Sequence, residues 1–110
     1  MDSPGFAAFF SEEGTFTIAN GQLYKGRAEI ENFVRGFFSA LEGIGHEVTG
    51  VWETPSATFS EGVVSFSLHG GRTVTHPYLG VLEFDGELIR AYRAYLDPAP
   101  LVAALQPSAQ

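Results

Sequence analysis

The chain has 110 residues, thirteen acidic against six basic, a net charge of -7, no cysteine, 45% hydrophobic residues and ten phenylalanines. Residues 1–110 therefore read as one domain that can bury a core without disulfides or metals, while the acidic balance argues against nucleic-acid and acidic-membrane partners and the missing cysteine excludes thiolate catalysis. No run reaches the roughly 18 apolar residues of a membrane span, and Met1-Asp2-Ser3-Pro4 lacks the basic and apolar regions of a signal peptide, so a cytoplasmic setting is expected.

Ser3-Pro4 predicts a cap and first-turn proline for a short helix over Phe6 to Phe10, ending near Gly14. Thr15 to Ala19 is β-branched and aromatic, Asn20-Gly21 is a turn signal, and Gln22 to Lys25 returns as a second short strand. From Arg27 to Glu42, the residues Ile30, Phe33, Val34, Phe37, Phe38 and Leu41 recur at three- and four-residue steps. They leave Glu31, Asn32, Arg35 and Ser39 opposite, which predicts an amphipathic helix. Glu31 and Arg35 stand four apart in the favourable order, and Gly43 supplies the stop. Strand-prone runs follow over His46 to Glu53, Val63 to His69, Thr73 to Phe84 and Leu88 to Asp97, with turns at Thr54-Pro55-Ser56, Gly70-Gly71 and Gly86. Helices early and long strands late predict an α+β architecture, an antiparallel sheet with helices on one face.

The segment Leu88 to Asp97 carries a β-prone aromatic run and the tail Arg93-Ala94-Tyr95-Leu96-Asp97, with a helix begun by Pro98 after it. It resembles the end of a SnoaL-like domain in the nuclear transport factor two-like superfamily. Phe9-Phe10-Ser11-Glu12-Glu13-Gly14, Gly26-Arg27-Ala28-Glu29-Ile30 and Gly50-Val51-Trp52-Glu53 match that family as well, so the resemblance spans nearly the whole chain. It implies a cone-shaped curved antiparallel sheet wrapped around the helix Arg27 to Glu42, the cystatin-like fold, and a homodimer through the outer face of the sheet. The longer first helix that usually covers the mouth of the cone is missing. Residues 1 to 10 correspond to the short second helix, so the cone is either more open or closed by a neighbouring chain.

The chemistry of two relatives finds no counterpart. Ketosteroid isomerases use a carboxylate after the first strand, but Phe16 to Gly21 offers only Asn20, an amide that cannot act as a base. Their oxyanion acid falls near Gly80. Limonene epoxide hydrolases keep an Asp after the last-strand Arg, where Arg93 is followed here by Ala94.

Alternation along Thr73 to Phe84 puts His76, Tyr78, Gly80, Leu82 and Phe84 on one face, read as inward from its apolar end. His76 is then the best catalytic candidate, a base or hydrogen-bond donor, or else a strand or pocket residue without chemistry. In the last strand the resemblance places Arg90, Tyr92, Ala94 and Leu96 inward, so that Tyr92 offers a phenol to the pocket. Trp52, on a face with Val48 and Gly50, is either a flat pocket wall or a core residue. Phe33 and Phe37 complete the expected lining, Asp97 reads as a helix cap, His69 as a turn residue and His46 as the start of a strand. The three histidines lie apart without paired acids and no glycine-rich turn opens a helix, so neither metal nor cofactor is implied.

The expected function is binding of a small apolar or cyclic molecule in the cone, lined by Trp52, His76, Tyr78, Tyr92, Phe33 and Phe37. One alternative is an isomerase, cyclase or hydrolase with His76 as base and Tyr78 or Tyr92 as oxyanion donor. Another is a module for interaction and dimerisation whose cone is filled.

Overall fold

In the computed structural model, residues 1–106 form three helices and six strands. The helices are α1 (Ser3–Ala8), α2 (Arg27–Ser39) and α3 (Ala99–Leu105); the strands are β1 (Phe10–Ile18), β2 (Tyr24–Lys25), β3 (Leu41–Glu53), β4 (Thr58–Leu68), β5 (Thr73–Asp85) and β6 (Leu88–Tyr95). All six strands join one curved, unclosed sheet in the order β2-β1-β6-β5-β4-β3, with α2 against its concave face. No helix among the described residues is long and apolar enough to cross a membrane.

The helical rhythm of Ile30 and Val34 buries one face of α2 completely, and Glu31 pairs with Arg35 on the other. α2 stops at Ser39, earlier than the apolar spacing implies, because Leu41 pairs with Leu68 and Gly43 with Ser67 at the start of β3. Strand pairing overrides local periodicity here, and Gly43 is a sheet residue instead of the stop. At the other end of the chain the cap also moves. The Asp2 carboxylate accepts from the Gly5 N–H at 3.0 Å, so Asp2 and not Ser3 caps α1. β1 then begins at Phe10 and takes in Gly14.

β1 and β2 form the expected hairpin, pairing Phe16 with Tyr24. The sheet departs from full antiparallel order at one place: β1 runs parallel to β6, with Phe16 opposite Tyr92 and Ile18 opposite Ala94. Arg27 Nε donates to the Phe10 carbonyl at 2.8 Å and ties the start of α2 to β1. Two buried clusters result. Ala7, Phe10, Phe16, Ile30 and Val34 close the α1 end, where Phe6, Phe10 and Phe16 meet with ring centroids 5.3 to 6.0 Å apart. Leu41, Val64, Phe66, Leu68, Tyr78 and Leu101 form the other, beneath α3.

A register shift between Val48 and Gly50 interrupts β3. Gly62 makes it possible, because a Cβ there would lie 2.1 Å from the Glu47 carbonyl oxygen. The extra residue reverses the facing of everything beyond it. Val48 pairs with Gly62 and so lies in register with Tyr78, whereas Trp52 pairs with Phe59 and, through it, with Val81 and Arg93 on the convex face. A second shift, between Glu83 and Phe84, frees Arg90 from the inward set: Arg90 and Arg93 both donate to Glu83, each at 2.7 Å.

Candidate functional site

Between the sheet and α2 lies a cavity of about 230 Å³. Phe16, Ile18 and Val34 line its depth, Phe37 and Phe38 come from α2, and Met1 and Phe6 close the α1 side. Its polar side chains are His46, Tyr78 and Tyr92, one from each of three strands, and among the described residues no carboxylate, lysine or arginine lines it. His46 and Tyr78 pack edge to face with centroids 5.5 Å apart. Tyr92 lies across Gly80, where an added Cβ would stand 3.3 Å from its ring. That glycine lets the phenol lie along the sheet.

Burial pushes the Tyr92 pKa up, and the nearby Tyr78 phenol pushes it further, so Tyr92 stays a proton donor. Partial desolvation lowers the pKa of His46, which stands exposed at the rim and is therefore chiefly neutral at pH 7. An imidazole able to accept and two phenols able to donate thus converge on an apolar space. Among the described residues that space offers no counter-charge to offset the lost hydration of a charged group. Among the described residues no group of three potential ligands could hold a metal ion.

The six expected lining residues separate. Tyr78, Tyr92 and Phe37 are on the cavity wall. Phe33 is one turn back on α2, stacked between Tyr24 and Phe37, and faces a second hollow instead. Trp52 is 54% exposed on the convex face, carried there by the bulge in β3. His76 shares the concave face with Tyr78, yet it lies beyond the cavity wall, 3% exposed and edge-on to Phe66, and its Nε2 has no hydrogen-bond partner. The pairing with Tyr78, Tyr92 or an acid that a base role for His76 requires is not made. His46 takes the place at the cavity instead. His46, Val64 and His76 form one row across three strands, with His76 buried against Phe66 and His46 at the cavity. The alternation of Ile44, His46 and Val48 was the available signal. His69 lies in the turn after β4, and Asp97 accepts from the Ala99 N–H at 3.0 Å as the last helix begins, in keeping with the readings as turn residue and cap.

The sequence model of the SnoaL-like domain matches residues 1–92, most of the chain. The chain belongs to the SnoaL-like domain family. The match stops short of the Arg93-to-Asp97 tail, in which Arg93 pairs with Glu83 and Asp97 accepts from the first N–H of α3. No functionally curated protein matches the sequence. Solved structures agree on the fold. A nuclear transport factor two-like protein of unknown function from Burkholderia pseudomallei is similar with a TM-score of 0.85 at 17% identity, over 96% of this chain and 86% of that one. A putative SnoaL-like polyketide cyclase from Jannaschia sp. is similar at a TM-score of 0.78 and 12% identity, over 91% and 75%. A phenazine biosynthesis-related protein from Pseudomonas aeruginosa is similar at 0.79 and 16%, over 100% and 79%.

Proposed function

We propose that this SnoaL-like protein binds a small, neutral, largely apolar ring molecule in its cone, with an oxygen-bearing edge set against Tyr78, Tyr92 and His46. The observation that carries the reading is the chemistry of the cavity wall: apolar throughout except for two phenols and one neutral imidazole. Size agrees with it. A cavity of about 150 Å³ accommodates benzene, so one of about 230 Å³ admits a ring with substituents. The test is calorimetric binding of acetophenone against benzoate, a similar shape with a charge. Acetophenone is expected to bind and benzoate to be excluded; equal binding of both sinks the reading.

A second reading is favoured by the position of His46. In an isomerase, cyclase or hydrolase of this fold, the base is His46 in place of His76, and Tyr78 or Tyr92 holds the carbonyl oxygen as negative charge develops. It predicts exchange of acetophenone methyl protons into heavy water, followed by proton NMR, at a rate that His46→Gln lowers at least tenfold. Exchange that is indifferent to this substitution removes His46 from the chemistry.

The protein also acts as a homodimer in this proposal, through the convex face that carries Trp52 and Phe59 in one cross-strand row and Tyr95, opposite Leu79, in the next. Exposed Trp52 and Tyr95 suit the centre of such an interface. Sedimentation of the wild type against Trp52→Asp distinguishes the two states; a wild-type monomer at all concentrations rejects it.

A further inference from the structure

A second hollow, of about 350 Å³, lies on the far side of the cavity wall, under α3 and beside the β1–β2 turn. Its lining is apolar apart from Asn20 at the turn. Ile18, Phe37, Phe66 and Leu96 line both spaces, so the division between them is made of side chains and is one side chain thick. Phe37 and Phe66 meet edge to face at 5.7 Å in this partition, and Phe37, stacked on Phe33, is only half-buried. On the far side Leu101 is buried, while Val102 and Leu105 line the hollow and remain exposed. The phenols and the imidazole belong to the first space, and the second, with Asn20 only at its turn edge, is otherwise apolar. Such a division suits a ligand with one polar end.

We propose that the hollow under α3 is the tail compartment of the same site, and that the ligand is an elongated neutral molecule, a hydrogen-bonding ring at one end and an alkyl chain at the other. The ring sits at His46, Tyr78 and Tyr92, and the chain passes between Phe37 and Phe66 to Leu101 and Val102. This inference rests on the binding reading above and specifies the ligand that reading leaves open. Its physical basis is the transfer of methylene groups from water into an apolar space already framed by the fold.

The experiment measures the affinity of the full chain for 4-ethyl-, 4-butyl-, 4-hexyl- and 4-octylphenol by calorimetry, with methyl NMR of Leu101 and Val102. Affinity is expected to rise by about fourfold per methylene through the longer members of the series. The Leu101 and Val102 methyl signals are expected to shift with octylphenol and to stay in place with ethylphenol. In Val102→Trp, which fills the hollow, the gain per methylene is expected to vanish beyond butyl. Short phenols that bind with an affinity that levels off after butyl overturn the tail compartment and leave the ring site standing. A chain-length gain that persists in Val102→Trp without shifts at Leu101 sends the chain out through the mouth and overturns it too. Failure of every phenol to bind overturns the ring site, and the tail compartment with it.

Discussion

The two faces of the sheet use the same residue types for opposite ends. On the concave face aromatic rings are packed by α1 and α2 into a buried cluster, and the polar atoms they carry are few and gathered at one cavity. On the convex face Trp52, Phe59, Val81 and Arg93 form a row across four strands with no helix above it among the described residues, and Glu83 pairs there with both Arg90 and Arg93. Composition cannot tell these faces apart. What separates them is parity along each strand, and a single bulge at Val48–Gly50 is enough to move the only tryptophan from one to the other.

The contrast is broken most forcefully from the concave side. Phe10 is fully buried among Phe6 and Phe16, so Phe10→Ala is expected to cost about 3–5 kcal/mol in urea unfolding, a large part of a small domain's stability. A loss under about 1 kcal/mol means that this face is not the packed one. Next comes the bulge itself. Gly62→Ala forces a Cβ against the Glu47 carbonyl and is expected to cost about 1–3 kcal/mol, with a change in the fluorescence of Trp52 as β3 shifts. Tyr92→Phe keeps the ring and removes the donor, so binding of a neutral ketone should weaken by about 1 kcal/mol, or about fivefold in Kd, with little change in melting temperature.

The pH dependence distinguishes the faces as well. His46 has a lowered pKa in the folded state, so the unfolded chain binds more protons between the lowered value and the ordinary one. Stability from this group is full above about pH 6.5 and declines as pH falls towards the lowered value, which proton NMR of the imidazole can follow beside thermal melts. Ligands that need a neutral imidazole weaken in the same window. On the convex face, hydrogen bonds from Arg93 and then Arg90 hold the Glu83 carboxyl below the usual carboxylate range. Its contribution is present above the ordinary carboxylate pKa and is lost only as pH falls through the lowered value. Glu83→Gln is expected to have the smallest effect of the set, one that added salt erases in melts, since the network is open to water.

Much of this architecture is legible in the chain. The spacing of Ile30 and Val34 places α2, and Asn20-Gly21 marks the first hairpin, because those signals are local. The β1–β6 pairing is not legible, since nothing near Phe16 refers to Tyr92. The expected lining residues divide for the same reason. Tyr78 follows from alternation along β5 and Tyr92 from the family resemblance, whereas Trp52 lies past a bulge whose cause, the bare Cα of Gly62, belongs to the neighbouring strand. Alternation also puts His46 and His76 on one face without saying which of them a curved sheet leaves open to the cavity.

The parallel pairing of β1 with β6 has a consequence for assembly. The last strand in sequence lies in the middle of the sheet, so within the sheet the hairpin unit of β1 and β2 and the meander of β3 to β5 are joined by a segment that arrives after both, while α2 packs against both units. Until then each unit has an unpaired edge, and closing the loop between Phe16 and Tyr92 demands most of the chain's freedom at one step. Such contact order makes for slow folding, with β6 as the seam that commits the two halves to a single molecule.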